Sequence, residues 1–458
     1  MSDFQDTSTP QHQEKMSVAG DAPLEVDERS KVSTSSRAQD AFGDEEFAEV
    51  KYKVLKWWQC GVLMVAETVS LGVLSLPAAV ASLGLAPSIV ALLLLGMLAT
   101  YTGYVIGQFK WRYPQVCNMA DAGEVIAGRV GREVLGVGQV LFLVFVMASH
   151  LLTFIIAMNT ITGHGTCSIV FGVVGLIISF ICSLPRTLVK MSWLSFVSFA
   201  SILSAVVITM FGVGFLHPGK GVEATVPTDL THGFGAITNI VFAFSGHAAY
   251  FGLAAELKDT RDFPKALCLL QTFDISLYII AAVVIYRYGG AEVASPALSS
   301  ASPMVAKVAY GVALPTIIIA GVINGHIAFK YIYLRVFAGT DRIHKRDWIA
   351  ISSWVSIALG LWVIAWIIAE AIPVFSNLLS LITALFASWF TFGCSGVFWL
   401  YMNRGQWFSS PRKIALTMLN ILSFIVAACL CFLGLYVSGK AIHDHPSSMS
   451  FSCAENAT

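Results

Sequence analysis

The sequence predicts an all-α polytopic membrane protein with about eleven transmembrane helices, and three observations carry that prediction. Of 458 residues, 56% are hydrophobic and 12% charged, with a mean hydropathy of +0.73. An ordinary soluble domain has about 25% charged residues. Many of the charges fall in the first 56 residues and in short loops, leaving long stretches almost bare. Those stretches have lengths suited to a hydrocarbon layer roughly 30 Å thick. They are continuous rather than alternating in about ten-residue pieces, which favours helices over a β-barrel.

Each segment follows from this pattern. Residues 1–50 are polar, rich in Ser, Asp, Glu and Gln, and contain no apolar signal-peptide core. Such a segment cannot bury enough apolar surface to offset its ordering entropy, so a disordered cytoplasmic tail is expected. A ten-helix core is expected over 51–400, with spans at 57–82, 87–109, 134–160, 168–184, 191–215, 233–254, 265–286, 304–329, 348–370 and 374–400. The fourth of these is short, and the last two are divided only by a turn around Pro373. Residues 401–438 supply an eleventh span at 413–438 with its lead-in, and 439–458 form a short tail.

Lysine and arginine placement tests the count. With the N-terminus cytoplasmic, the inner loops hold groups such as Lys110, Arg112, Arg129 and Arg132, then Arg186 and Lys190, Lys258, Arg261 and Lys265, and further on Lys330, Arg335, Arg342, Lys345 and Arg346. Arg404, Arg412 and Lys413 follow, while the outer side receives only Lys220, Arg287, Lys307 and Lys440. Cytoplasmic loops carry such an excess. The expected orientation is therefore N-terminus inside and C-terminus outside. The outer tail carries an Asn456-Ala457-Thr458 sequon, expected to be unmodified so close to the chain end. Cys167 and Cys453 share that side and are able to pair, although two separate thiols is the simpler expectation.

Several function classes are disfavoured. The 28 basic and 28 acidic residues balance, and no basic block is interleaved with exposed aromatics, so no nucleic-acid partner is expected. Nine cysteines without CxxC spacing suggest no metal site. There is no P-loop, no HExxH and no ordered nucleophile–base pair, which argues against an enzyme and implies no nucleotide or prosthetic cofactor.

The informative segments are the first and sixth. The first places Glu67, Thr68, Ser70, Gly72, Ser75 and Pro77 within one span. Unwound backbone at membrane depth is tolerated only where it faces protein, water or a ligand, and a carboxylate there is costly unless neutral, paired or in a cavity. A break around Val69–Gly72 would offer amides to a carboxylate and carbonyls to a cation or ammonium group. The alternative is a packing helix softened by Gly and Pro, its serines bonded to their own preceding carbonyls. The sixth span again places a small pair, Ser245-Gly246, at mid-membrane between Phe244 and His247. Two interrupted helices five spans apart are what an inverted repeat gives, with a substrate between them.

Among polar residues at depth, Glu67 is the first candidate for the protonatable group and Asp274 the second, with His247 and Asn324 also considered. For each, helix-to-helix hydrogen bonding is the rival account, as it is for His150, Asn159, His326 and Glu370. Glu256 is placed at the inner boundary, as gate or as surface.

On Glu67-Thr68-Val69-Ser70-Leu71-Gly72-Val73-Leu74-Ser75-Leu76-Pro77, Tyr101-Thr102-Gly103-Tyr104 and Phe242-Ala243-Phe244-Ser245-Gly246-His247, the chain resembles the amino acid/auxin permease family. Within it, the resemblance is to fungal neutral amino acid permeases of the methyltryptophan-resistance type, and it runs from about residue 45 to 438. It implies a LeuT-like fold with inverted repeats at about 57–215 and 233–400, discontinuous first and sixth helices, and one added helix. It also implies neutral amino acid transport coupled to a proton or a sodium ion, across a lipid membrane that is expected to be the plasma membrane. By position, Thr68, Val69, Ser70, Leu71 and Gly72 would hold the substrate carboxylate. Phe244, Ser245 and Gly246 would face its amino group and side chain. Many relatives carry an amide where Glu67 stands, and this departure favours protons. A sodium-coupled transporter and a non-transporting amino acid receptor are the alternatives.

Overall fold

The computed structural model describes residues 53–186, 189–216, 222–337, 340, 347–444 and 450–454. The tail at 1–50, the basic residues at 342–346 and the Asn456 sequon lie outside them.

The described chain is helical. Helix α1 is Trp57–Leu83, α2 Leu85–Arg112, α3 Met119–Thr162, α4 Ser168–Cys182 and α5 Val189–Leu216. The sixth span is divided into α6, Leu230–Ala243, and α7, His247–Glu256. Then come α8 at Phe263–Gly289, α9 at Pro303–Val336 and α10 at Trp348–Ala371. The tenth span begins as α11, Phe375–Ile382, passes through π-helical turns at Thr383–Ala387 and Trp389–Gly393, and ends as α12, Cys394–Met402. Helix α13 is Pro411–Asp444. Among the described residues, ten helical stretches are long and apolar enough to cross a membrane, and the 15-residue α4 is the shorter eleventh.

Local chemistry sets several starts. Asn118, Asp229, Ser302 and Asp347 each accept a hydrogen bond from an amide of the first turn of α3, α6, α9 and α10, satisfying a donor that lacks an intrahelical partner. Leu94, Met97, Ile177 and Phe432 stand on the protein surface, an apolar exterior that suits lipid rather than water.

Two expectations need correction. The first span is not discontinuous: α1 runs unbroken through Val69–Gly72 and past Pro77. Its hydroxyls turn back on the helix. Thr68 Oγ1 donates to Met64 O at 2.9 Å, Ser75 Oγ to Gly72 O at 2.9 Å, and Ser70 Oγ reaches Glu67 O at 3.4 Å. Side chains satisfied locally do not force the backbone open. The expected third span, 134–160, lies within α3, but α3 is two helical pieces: the backbone leaves helical geometry at Ala127–Gly128, where Gly128 has φ +61°, and the short first piece folds back so that the Gly123 and Gly131 backbones touch. That left-handed conformation is one a glycine adopts without a Cβ clash. Finally, Cys167 and Cys453 are joined in a disulfide, not separate thiols. The tail is also held by Ser168 Oγ on Ala454 O (2.6 Å), Ser450 Oγ on Ala371 O (3.0 Å) and Phe451 N on Glu370 O (3.2 Å).

The helices sort into two packing groups. In one, α1 lies along α6 and α8, while α2 lies on α7 and α8. In the other, α3 packs on α4, α9 and α10, and α10 on α4. Helix α5 touches both, through α1 and α9. The break in the sixth span lies where the groups meet.

Candidate functional site

At that break, α6 ends with Phe244 as its cap and α7 begins after Gly246. The freed carbonyls find partners. Ser245 Oγ donates to Phe242 O at 2.7 Å, and Tyr278 Oη from α8 donates to Ala243 O at 2.9 Å. Beside it lies a cavity of about 20 Å³. Its first wall comes from α1 (Glu67, Thr68, Ser70 and Leu71) and the break (Phe242, Ser245 and Gly246). The facing wall is α3, through Phe142, Val146 and His150. These three are spaced by four residues, which puts them on one helix face.

The two walls are bonded. His150 Nδ1 lies 2.9 Å from Val146 O, and a carbonyl only accepts, so Nδ1 carries the hydrogen. In the neutral ring Nε2 is then the acceptor, and the Ser70 hydroxyl, 3.0 Å away, donates to it.

Two carboxyl groups meet at this point, Glu67 of α1 on the cavity wall and Asp274 of α8 behind it. Thr68 Oγ1 lies 3.0 Å from Asp274 Oδ2, and Asp274 is fully buried. Among the described residues, Glu67 Oε2 and Asp274 Oδ1 have no hydrogen-bond partner. A Cβ placed on Gly246 would stand 2.6 Å from Thr68 Cγ2 and 3.1 Å from Glu67 Oε2, so the glycine is what lets the break press onto these side chains.

The structure therefore brings Glu67, Thr68, Ser70, Leu71, Ser245 and Gly246 together around one cavity. Val69 and Gly72 do not line it, and Gly72 instead packs against Ala243 of α6. Phe244 turns the other way, edge-on to Tyr278 with ring centroids 5.3 Å apart and its tip near Gly96. The aromatic at the cavity is Phe242. His247 is held by Thr102 Oγ1 at 3.0 Å and Ala99 O at 2.9 Å. Asn324 donates to Ala320 O at 3.0 Å within its own helix and does not line the cavity. Phe142 and Val146 were missed as site residues, and His150 was noted only for its depth. The four-residue spacing on α3 was the available signal, but apolar residues at that spacing occur on any packed helix.

The two ends of the bundle differ. Toward the Leu83 end of α1, a recess of about 350 Å³ is lined by polar groups including Asp229, His232, Asn239, Asn377 and Lys440. Toward the Trp57 end lies a gap of about 70 Å³. Gln139 Nε2 bonds Ala248 O at 3.2 Å there, and Lys330 Nζ bonds Glu256 Oε1 at 2.8 Å.

A helical bundle with a broken sixth span, packed in two groups around a central cavity, is the architecture of a LeuT-like membrane transporter. Two solved structures share it. One is Mhp1, a nucleobase-cation-symport-1 family transporter in a closed conformation with bromovinylhydantoin bound (TM-score 0.54, 14% identity, 90% of this chain and 99% of that one). The other is the substrate-bound outward-open state of a Na+-coupled sialic acid symporter (TM-score 0.51, 12% identity, 86% and 94%). At these identities the likeness speaks for fold alone. The family model of the transmembrane amino acid transporter proteins matches residues 53–439, and the chain belongs to that family. It is 37% identical to the N amino acid transport system protein of Neurospora crassa over 88% of this chain and 89% of that one. It is 27% identical to the amino acid transporter AVT1H of Arabidopsis thaliana over 52% and 55%.

Proposed function

We propose that the chain is a secondary transporter that imports neutral amino acids across the plasma membrane by proton symport and alternating access, with its N-terminus cytoplasmic and its C-terminus outside. The observation that carries this is Glu67, whose Oε2 is buried without a hydrogen-bond partner beside the break and the cavity. An intramembrane carboxyl group of this kind is by default a functional group.

The cavity wall includes no lysine or arginine, which favours a substrate without net charge. Because α1 is continuous, its amides are engaged and the carboxylate cradle lies elsewhere: the first-turn amides of α7 and the hydroxyls of Thr68, Ser70 and Ser245. A helix N-terminus attracts an anion by its unsatisfied N–H groups and dipole. The ammonium end lies toward the Phe242 carbonyl, and Phe142, Val146 and Phe242 receive the side chain. A space of about 20 Å³ holds about one water, not an amino acid. Loading therefore requires the two packing groups to part, first toward the polar recess, which is the outer vestibule. Protonation of Glu67 removes a charge that opposes closure, and inward opening releases both cargoes. The membrane potential contributes roughly 2.3 kcal/mol per charge per 100 mV. The repeats are placed at about 57–215 and 233–400, with 401–438 as the added helix.

The test is uptake of labelled phenylalanine and leucine into proteoliposomes under separately imposed proton and sodium gradients, with Glu67→Gln alongside. Concentrative uptake that follows the proton gradient and disappears in Glu67→Gln is expected. Uptake that follows sodium removes the proton assignment, and saturable binding with no uptake under either gradient makes the protein a receptor.

A further inference from the structure

The Trp57 end of the bundle is tied by contacts that neither the cavity nor the coupling carboxylate explains. Leu55, just ahead of α1, pairs in parallel with the end of α7. Its N–H donates to Glu256 O at 3.0 Å, and Lys258 N–H donates to Leu55 O at 2.9 Å. These bonds bind α1 and α7, which belong to the same packing group. The Glu256 side chain then reaches out of that group to Lys330 of α9, 2.8 Å away. Glu256 is 7% and Lys330 21% exposed along their side chains, so this pair is shielded from water. Among the described residues, the other ion pairs at this end each stay within one group: Arg335 with Glu133 joins α9 to α3, Arg132 with Glu124 and Glu133 stays within α3, and Lys265 with Asp262 stays at the start of α8. Breaking those would not separate the groups. The gap of about 70 Å³ lies directly behind the Lys330–Glu256 pair, lined also by Cys117, Gln139, Ala248 and Gly252.

We propose that Glu256 and Lys330, with Leu55 holding Glu256 in place, form the latch that closes the Trp57 end of the transport path, and that inward opening breaks the Lys330–Glu256 pair. This rests on the alternating-access reading above, but not on the identity of substrate or ion. Within a shielded gap the attraction between the two charges is stronger than at an open surface. The pair is thus tight when the end is closed and separable once water enters. Neither residue touches the central cavity, so both are positioning residues.

The chain carries its own reporter. Cys117, in the loop between α2 and α3, is a free thiol lining the gap. Burial holds its pKa above the ordinary thiol value despite the Lys110 ammonium 3.6 Å from the sulfur, so it is a slow nucleophile while the gap stays dry. The experiment measures labelling of Cys117 by a membrane-impermeant maleimide in the full chain reconstituted in nanodiscs, where both faces are open, with Cys117→Ser giving the background. Glu256→Gln and Lys330→Met are each expected to label at least roughly tenfold faster than the parent. The double exchange Glu256→Lys with Lys330→Glu is expected to return the rate to within about twofold of the parent. Buried Cys60 should stay unlabelled throughout, reporting an intact fold. Unchanged rates in the single variants overturn the latch, as does a double exchange that labels as fast as they do. If the neutral variants do not fold, Glu256→Asp keeps the charge and shortens its reach. Faster labelling then supports the latch, and parental labelling overturns it. Labelling needs no gradient or amino acid, so a latch that opens as expected alongside sodium-driven uptake would retain this inference and remove only the proton assignment.

Discussion

Gly246→Ala tests the meeting of α1 with the break most directly. The added methyl would stand 2.6 Å from Thr68 Cγ2, 3.1 Å from Glu67 Oε2 and 3.2 Å from Tyr250 Cε1. Thr68 is β-branched and stiff at χ1, and its hydroxyl is committed to Met64 O and Asp274. It cannot swing aside without giving up those bonds. Overpacking of this kind costs about 1–3 kcal/mol. If the displacement falls on the closed, substrate-holding arrangement, that corresponds to roughly a fivefold to hundredfold loss of apparent affinity. Gly252→Ala is the matched control. It lies on the same half-helix, and its nearest neighbour would be Cys117 O at an ordinary 3.6 Å. There the substitution gains about 1 kcal/mol of helix propensity and displaces nothing. The assay is the KM for uptake at matched reconstitution, with the thermal midpoint of the purified protein measured alongside. A Gly246→Ala protein whose KM and midpoint both stay within twofold and one degree-scale error of the parent would refute the close approach.

Three other outcomes follow from the packing. Phe242→Ala should shift the uptake ratio toward bulkier substrates, whereas Phe244→Ala should leave the ratio unchanged and lower stability by about 3–5 kcal/mol, as read from thermal or denaturant midpoints. Replacing His150 by Phe removes the acceptor of the Ser70 hydroxyl. It should cost about 1–3 kcal/mol of buried hydrogen bonding, seen as a lower midpoint and weaker substrate protection against unfolding. A single proteolytic cut between residues 167 and 453 should leave two pieces joined on a non-reducing gel and separate after reduction. In Cys453→Ser they should separate under both conditions, and stability should fall by about 2–4 kcal/mol.

Most of the span pattern was legible because hydrocarbon thickness fixes helix length: the expected 57–82 and 348–370 became Trp57–Leu83 and Trp348–Ala371. The short piece ahead of the third span was hidden because Glu124, Arg129 and Arg132 interrupt the apolar run and the chain turns back at Ala127–Gly128. The unbroken α1 and the broken sixth span looked alike in sequence. In both, hydroxyls turn back on carbonyls of their own segment; what sets the break apart is Tyr278 of α8, which donates to Ala243 O. Sequence does not display that partner. The same break explains why Phe244 was expected at the cavity in place of Phe242. Helical periodicity assigns faces only while the helix lasts. The cysteine pair is separated by 286 positions, and only the folded chain brings the two together.

The tenth span has a consequence for how such chains are compared. Its π turns at Thr383–Ala387 and Trp389–Gly393 each take up extra backbone without ending the helix. One residue advances an α-helix by about 100°, so a helical wheel drawn straight through this stretch misorients everything after it, including Ser395 and Trp399. Gain or loss of a single residue here would be absorbed as one wider or narrower turn, leaving α11 against α6 and α12 against α2. Length variation between otherwise similar transporters is therefore to be expected inside this helix, where an aligner would normally forbid a gap.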